Sequence, residues 1–96
     1  MNIPKFYSAA QDELNAAATY YENQQPALGR RFLVSVQDAV NRIMFNPHLY
    51  PVVYMDVRRC LVRTFPFGII FREIKGRIVI LAVMHLHRDP DYWKAR

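Results

Sequence analysis

Apolar residues recur at helical spacing twice in the first half of the chain and crowd into short runs in the second. Leu14, Ala17, Ala18 and Tyr21 form the first stripe, which ends at Asn23-Gln24-Gln25-Pro26 because proline pushes the residue before it out of helical geometry. Ser8 followed by Gln11 has capping-box spacing, and Asp12 and Glu13 add negative charge near the start, so a helix is predicted over 9–24. Leu28, Phe32, Val36, Ala39, Val40 and Ile43 make a second stripe, with Arg30, Arg31, Gln37, Asp38 and Asn41 mostly off it, until Asn46-Pro47 stops it. Two amphipathic helices joined by a short turn around Pro26 and Gly29 lie antiparallel and share one apolar face.

The remaining segments read as strands. Ile3 to Tyr7 has room for one short strand, and Pro4, which cannot donate to a ladder, puts it at a strand start or sheet edge. Asn46 to Pro51 reads as loop. Arg59 to Phe65 alternates basic and apolar residues, Gly68 to Ile74 is rich in β-branched and aromatic residues, and Ile78 to Met84 is a continuous apolar run suited to a strand covered on both faces. Phe65-Pro66-Phe67-Gly68 bends the chain between the first two, and Lys75-Gly76 joins the last two as a hairpin. The predicted fold is α+β, in the order strand, helix, helix and three strands: a helical hairpin packed on a small, mainly antiparallel sheet.

With 96 residues, 52% of them hydrophobic, the chain has the size and composition of a single globular domain over 1–96. The run from Ile78 to Met84 is far short of the roughly 18 residues needed to cross a bilayer. The start of the chain lacks a signal-peptide pattern, so a cytoplasmic protein with no membrane partner is expected. A lone cysteine, Cys60, rules out an internal disulfide and a Cys-based zinc site, and it reads as a packed strand residue.

Charge changes the picture once it is divided along the chain. Residues 1–50 carry no net charge, so the whole +5 falls in residues 51–96, where seven Arg and two Lys face four acidic residues. Arg58, Arg59, Arg63 and Arg72 on the predicted strands, with His85, His87 and Arg88 at the end of the last one, form the strongest cluster. Arg59 and Arg63, four apart on a strand, point to one face. Such a face binds phosphate or carboxylate, the alternative being an ordinary solvated set of arginines.

His85 and His87, at alternate strand positions, face the same way and have the chemistry of a proton shuttle; packing at a strand end is the plainer reading. No HExxH or cysteine partner supports a metal, and no cofactor is expected. His48 in the loop reads as structural. Asp89 is placed to orient Arg88. Tyr92 and Trp93 either stack on nucleic-acid bases or pin the tail to the core. No Gly-rich phosphate loop or Ser-His-Asp spacing is present, so nucleotide hydrolysis and acyl transfer have no support.

Several of these segments, in this order and spacing, resemble the RelE/ParE superfamily of bacterial toxins, the members once called plasmid stabilisation proteins included. They are Tyr20-Tyr21-Glu22, Leu28-Gly29-Arg30-Arg31-Phe32, Asn46-Pro47 with Tyr50-Pro51, Arg58-Arg59, Phe65-Pro66-Phe67, and His85 with Arg88-Asp89-Pro90-Asp91-Tyr92-Trp93. The resemblance implies the toxin of a type II toxin-antitoxin module, neutralised by a small, often acidic antitoxin. One branch of the superfamily cleaves messenger RNA on the ribosome. For that endoribonuclease chemistry it implies Arg63 and Arg72 on phosphate, His87 or His85 as base or acid, and Tyr92 near the base or leaving group.

The sequence departs from that pattern at Gly68, where a catalytic Arg is expected, and lacks the Lys pair of the preceding strand. The ParE branch poisons DNA gyrase without a recognised nuclease site, which fits better. A basic binding domain that keeps only the fold is the third reading. Under the binding readings the contact set is Arg58, Arg59, Arg63, Arg72, Arg88 and Trp93.

Overall fold

The computed structural model describes residues 3–96. The chain runs through β1 (Lys5–Phe6), α1 (Ser8–Gln24), α2 (Leu28–Phe45), a 3₁₀ turn at Pro47–Leu49, β2 (Val52–Tyr54), β3 (Val57–Leu61), β4 (Phe67–Ile74) and β5 (Arg77–His85). One five-stranded sheet has the order β1-β5-β4-β3-β2, antiparallel except for the parallel β1/β5 pair. The predicted layers are therefore present, with one strand more than expected.

The extra strand, β2, is three residues long and exposed throughout, too short and too near Pro51 to produce a periodic signal. The predicted strand over 59–65 also shifts. β3 occupies Val57–Leu61 and the chain leaves the sheet at Val62, because Phe65 turns in to pack against Tyr21 and Phe32. Arg63 thus lies outside the strand, and the expected common face for Arg59 and Arg63 does not form.

α1 begins at Ser8 with Tyr7 in the capping position, so the expected Ser8 cap is not realised. No side chain caps this end, and Asp12 and Glu13 lie beyond the first turn. α2 is capped from its neighbour. The Glu22 carboxylate of α1 accepts the backbone N–H of Ala27 at 2.9 Å and of Gly29 at 3.0 Å, so a negative charge sits at the positive end of the α2 dipole. Ala27 takes a left-handed φ of 72° to make that turn. Gly29 brings the two helices into close contact, since a Cβ there would lie 2.4 Å from the Ala18 carbonyl oxygen.

α2 buries Phe32, Val36, Ala39, Val40 and Ile43, the predicted stripe apart from the half-buried Leu28, against Cys60, Phe67, Ile69, Phe71, Ile80 and Val83 of the sheet. Lys75 and Gly76 both adopt positive φ, 51° and 78°, which is the backbone of a tight two-residue hairpin. The β4/β5 register then slips: Phe71 pairs with Ile80 and Ile70 with Ala82, leaving Leu81 as an extra residue. The bulge sends both Leu81 and Ala82 to the face away from the helices, while Ile78, Ile80 and Val83 pack under them. The continuous apolar run of β5 is buried on both faces, as its pattern implied. The second cover is the C-terminal tail, through Trp93 at 3% exposure.

Gly29→Ala is expected to cost about 1–3 kcal/mol through overpacking. Glu22→Ala is expected to cost about 1 kcal/mol as a lost cap. Urea melts of the two variants check both.

Candidate functional site on the far face of the sheet

Alternation along β3 and β4 decides where each predicted site residue goes. Arg58 pairs with Phe71 and turns to the helix side, where its Nη1 donates to the Tyr50 carbonyl at 2.7 Å. Arg59, paired with Ile70, turns to the far face, and Arg72 occupies the same face two residues along β4. Arg72 is held at 2.9 Å by the Asp56 carboxylate. Arg63 reaches Asp38 on α2 at 3.6 Å. The positive charge concentrated in the second half of the sequence is thus distributed around the molecule, mostly against carboxylates and carbonyls of the chain, and the expected single cationic surface does not form.

The far face carries a compact set nonetheless. Val57, Ile70, Val79, Leu81, Ala82 and Met84 make its apolar floor, and Trp93 lies buried on it. Tyr54 packs edge-on to Trp93 with ring centroids 6.0 Å apart, and Lys94 places its Nζ 4.4 Å from the Tyr54 ring centroid while pairing with Asp91 at 2.9 Å. Between these side chains and the floor lie two clefts of about 90 Å³ and about 130 Å³, both bounded by Trp93, the first with Arg59 and the second with Arg72. The apolar–aromatic surroundings strengthen any charge-assisted contact made there.

The tail that supplies Trp93 is held by one carboxylate. Glu13 on α1 accepts from Arg88 at 3.2 Å, from Arg96 at 3.0 Å and from the backbone N–H of Val83 at 3.1 Å, and it is only 15% exposed. Tyr92 lies between the two guanidinium groups, 3.6 Å below Arg88 and 5.0 Å from Arg96. Burial, with Glu13 beside it, raises the Tyr92 hydroxyl well above the usual phenol range, so it is neutral at physiological pH. Glu13 was expected only as a favourable charge near a helix start. Its partners lie 75 and 83 residues away, and no local pattern announces them. The expected Arg88–Asp89 contact is absent: Arg88 goes to Glu13, and Asp89 accepts the backbone N–H of Asp91 at 3.0 Å.

His85 ends β5 and His87 lies in the turn beyond it, so they are not alternate residues of one strand. They are still neighbours, with ring centroids 5.1 Å apart and the His87 backbone N–H donated to His85 Nδ1 at 3.1 Å. His85 also packs edge-on to Phe67. His48 pairs with Glu73 at 3.2 Å, an exposed contact that ties the 3₁₀ turn to β4. Cys60 is fully buried, and burial raises its thiol above the usual range against the pull of Arg42, which suits packing rather than nucleophilic chemistry. Among the described residues no group of three or more His, Cys, Asp or Glu side chains is placed to hold a metal ion, and no helix is long and apolar enough to cross a membrane.

Two helices packed on one face of a five-stranded, mostly antiparallel sheet is a fold that recurs among solved structures. Among solved structures, a chain of "Chromosomal ParDE TA system from P. aeruginosa" matches with a TM-score of 0.67 at 22% identity, over 91% of this chain and 98% of that one. No curated protein gives a significant match. The family model described as "ParE toxin of type II toxin-antitoxin system, parDE" matches residues 5–90, and the chain belongs to that family.

Glu13→Gln removes the one negative charge that faces Arg88 and Arg96 in the tail clamp and is expected to lower stability by about 2 kcal/mol, less than for a fully buried pair because the arginines keep some solvent contact. The raised Tyr92 ionisation has its own signature. Below pH 10, the ordinary phenol value, Tyr92 is neutral folded or unfolded and contributes no pH dependence. Above it the unfolded chain loses the proton first, so stability falls as pH rises. Melts from neutral to alkaline pH should therefore show Tyr92→Phe losing less stability than the wild type.

Proposed function

We propose that the protein is the growth-arresting toxin of a type II pair, kept inactive by a cognate acidic antitoxin, and that it acts in the cytoplasm by poisoning DNA gyrase. The match of the ParE family model along 5–90 carries this reading. The placement of the nuclease candidates supports gyrase over messenger RNA. Cleavage needs cations, an acid and a base around one phosphate. Here Arg63 lies beside Asp38 of α2, Arg72 pairs with Asp56 at the far face, and Tyr92 is enclosed by Arg88 and Arg96, so the candidates stand at separate places. Gly68 has no side chain to offer and leaves room for the Arg59 stem, 3.2 Å from where a Cβ would stand.

The neighbouring His85 and His87 rings are the one feature that favours the ribosome-dependent nuclease, and they make the two readings separable. On the gyrase reading, the purified protein lowers supercoiling by purified gyrase, and induced cells mount a DNA-damage response while translation continues. His87→Ala then still arrests growth. Normal supercoiling at saturating protein, with transcript cleavage that disappears in His87→Ala, would overturn it in favour of the nuclease.

A further inference from the structure

Residues 1–50 carry no net charge, yet two cations there are free to bind. Elsewhere Arg42 and Arg63 have Asp38, Arg72 has Asp56, and Arg88 and Arg96 share Glu13. Arg30 and Arg31, near the start of α2, are exposed and have no acceptor among the described residues. They line an open cleft of about 350 Å³ between α2 and the connection from β3 to β4. Ser35 of α2 and Thr64 of the connection line it too, and among the described residues neither hydroxyl has a hydrogen-bond partner. Val34 and Phe65 form its apolar side, and no carboxylate is among its lining residues. Glu22 already accepts the first backbone N–H groups of α2, so what the cleft offers an anion is side-chain donors.

Thr64 supplies a separate observation. The connection closes through the Val62 N–H on the Phe67 carbonyl at 2.9 Å and the Phe67 N–H on the Phe65 carbonyl at 2.8 Å, and it holds Thr64 at a left-handed φ of 74°. That backbone is costly for a β-branched residue, whereas glycine would make the turn without the strain. A strained threonine beside two unpartnered guanidinium groups points to a use for its side chain.

The donor set narrows the chemistry. Two guanidinium groups and two hydroxyls, supplied by two different elements, suit an anion whose oxygens spread in three dimensions better than the two coplanar oxygens of a carboxylate. Arg, Ser and Thr are regular partners of nucleic-acid phosphates. Phe65 favours paired strands over unpaired ones. It is 9% exposed, with its ring centroid 4.9 Å from that of Tyr21 and 5.2 Å from that of Phe32, so it has no open face on which a splayed base could stack. Sequence-independent contact with a duplex backbone needs no such face.

We infer that the cleft between α2 and the β3–β4 connection is a phosphate site for the backbone of duplex DNA, with Arg30 and Arg31 as its cations and Ser35 and Thr64 as neutral donors. The inference extends the proposed function, on which it rests for the choice of DNA over RNA, since a protein that acts on gyrase meets duplex DNA there.

The test measures binding of the full chain to a short labelled DNA duplex by fluorescence anisotropy over a range of salt concentrations, without gyrase. Arg30→Gln/Arg31→Gln should bind roughly fiftyfold more weakly at about 0.1 M salt and reduce the salt slope by about 1.8, the loss of two phosphate contacts. Lys75→Gln/Arg77→Gln has the same net charge and is the control. Its exposed side chains lie at the opposite end of the eight-residue β4, roughly 25 Å along the strand and beyond the Debye length, so it should stay within about threefold of the wild type. Thr64→Gly should bind roughly fivefold more weakly, the size of one neutral hydrogen bond, with no fall in melting temperature because glycine relieves the left-handed backbone.

Equal losses in the two double variants would reduce the effect to bulk charge and overturn the site. Unchanged affinity in Thr64→Gly would do the same, as would tighter binding, dependent on Arg30 and Arg31, of a single-stranded RNA of the same length or of an oligoglutamate of the same charge. Duplex binding with the expected losses, in a protein that leaves supercoiling untouched, overturns the gyrase target alone.

Discussion

The constraint from which the rest of the structure follows is that β5 must be covered on both faces. Its residues from Ile78 to Met84 are all apolar and all buried, in a sheet with a helical layer on only one side. At roughly 25 cal/mol per Å² of apolar surface, leaving one face of such a strand in water would cost more than a small domain can spare. The helical hairpin satisfies one face. The other is closed by the tail, where Trp93 sits on Ile70, Leu81, Ala82 and Met84. The bulge at Leu81 is part of the same solution, because it adjusts which residues meet the helices and which meet the tail.

Covering the far face with an irregular tail instead of a helix has chemical consequences. A tail has few backbone bonds of its own and must be tied down by side chains, and the Glu13 clamp does this by drawing α1, β5 and both Arg88 and Arg96 to one carboxylate. The tail also leaves openings that a packed helix would fill. The clefts on either side of Trp93 are such openings, and the unpartnered donors of Arg59, Arg72 and Trp93 lie around them. Stability of the sheet and accessibility of its far face therefore meet in the same few residues.

Much of the architecture was legible in the chain. The two helical stripes, the hairpin at Lys75-Gly76, the doubly covered last strand and the α+β order all appear in the structure because each depends on periodicity or turn chemistry within a few residues. The candidate site was legible only in part. Arg59, Arg72 and Trp93 do share a face, but Arg58, Arg63 and Arg88 are taken by Tyr50, Asp38 and Glu13. Counting charges finds the cations, whereas the acceptors that neutralise them come from distant parts of the chain.

The sequence by itself determined the two helices and the four predicted strands, their order and the burial of each apolar face, since these are consequences of side-chain spacing acting on a backbone with two preferred periods. Only the tertiary structure decided where the third strand ends, that a three-residue edge strand forms, and which acceptors the arginines of residues 51–96 find. Those outcomes depend on contacts across the fold: Phe65 packing on Phe32 draws the chain out of the sheet before Arg63, and the tail settling on the sheet encloses the Trp93 indole beside the Arg59 guanidinium.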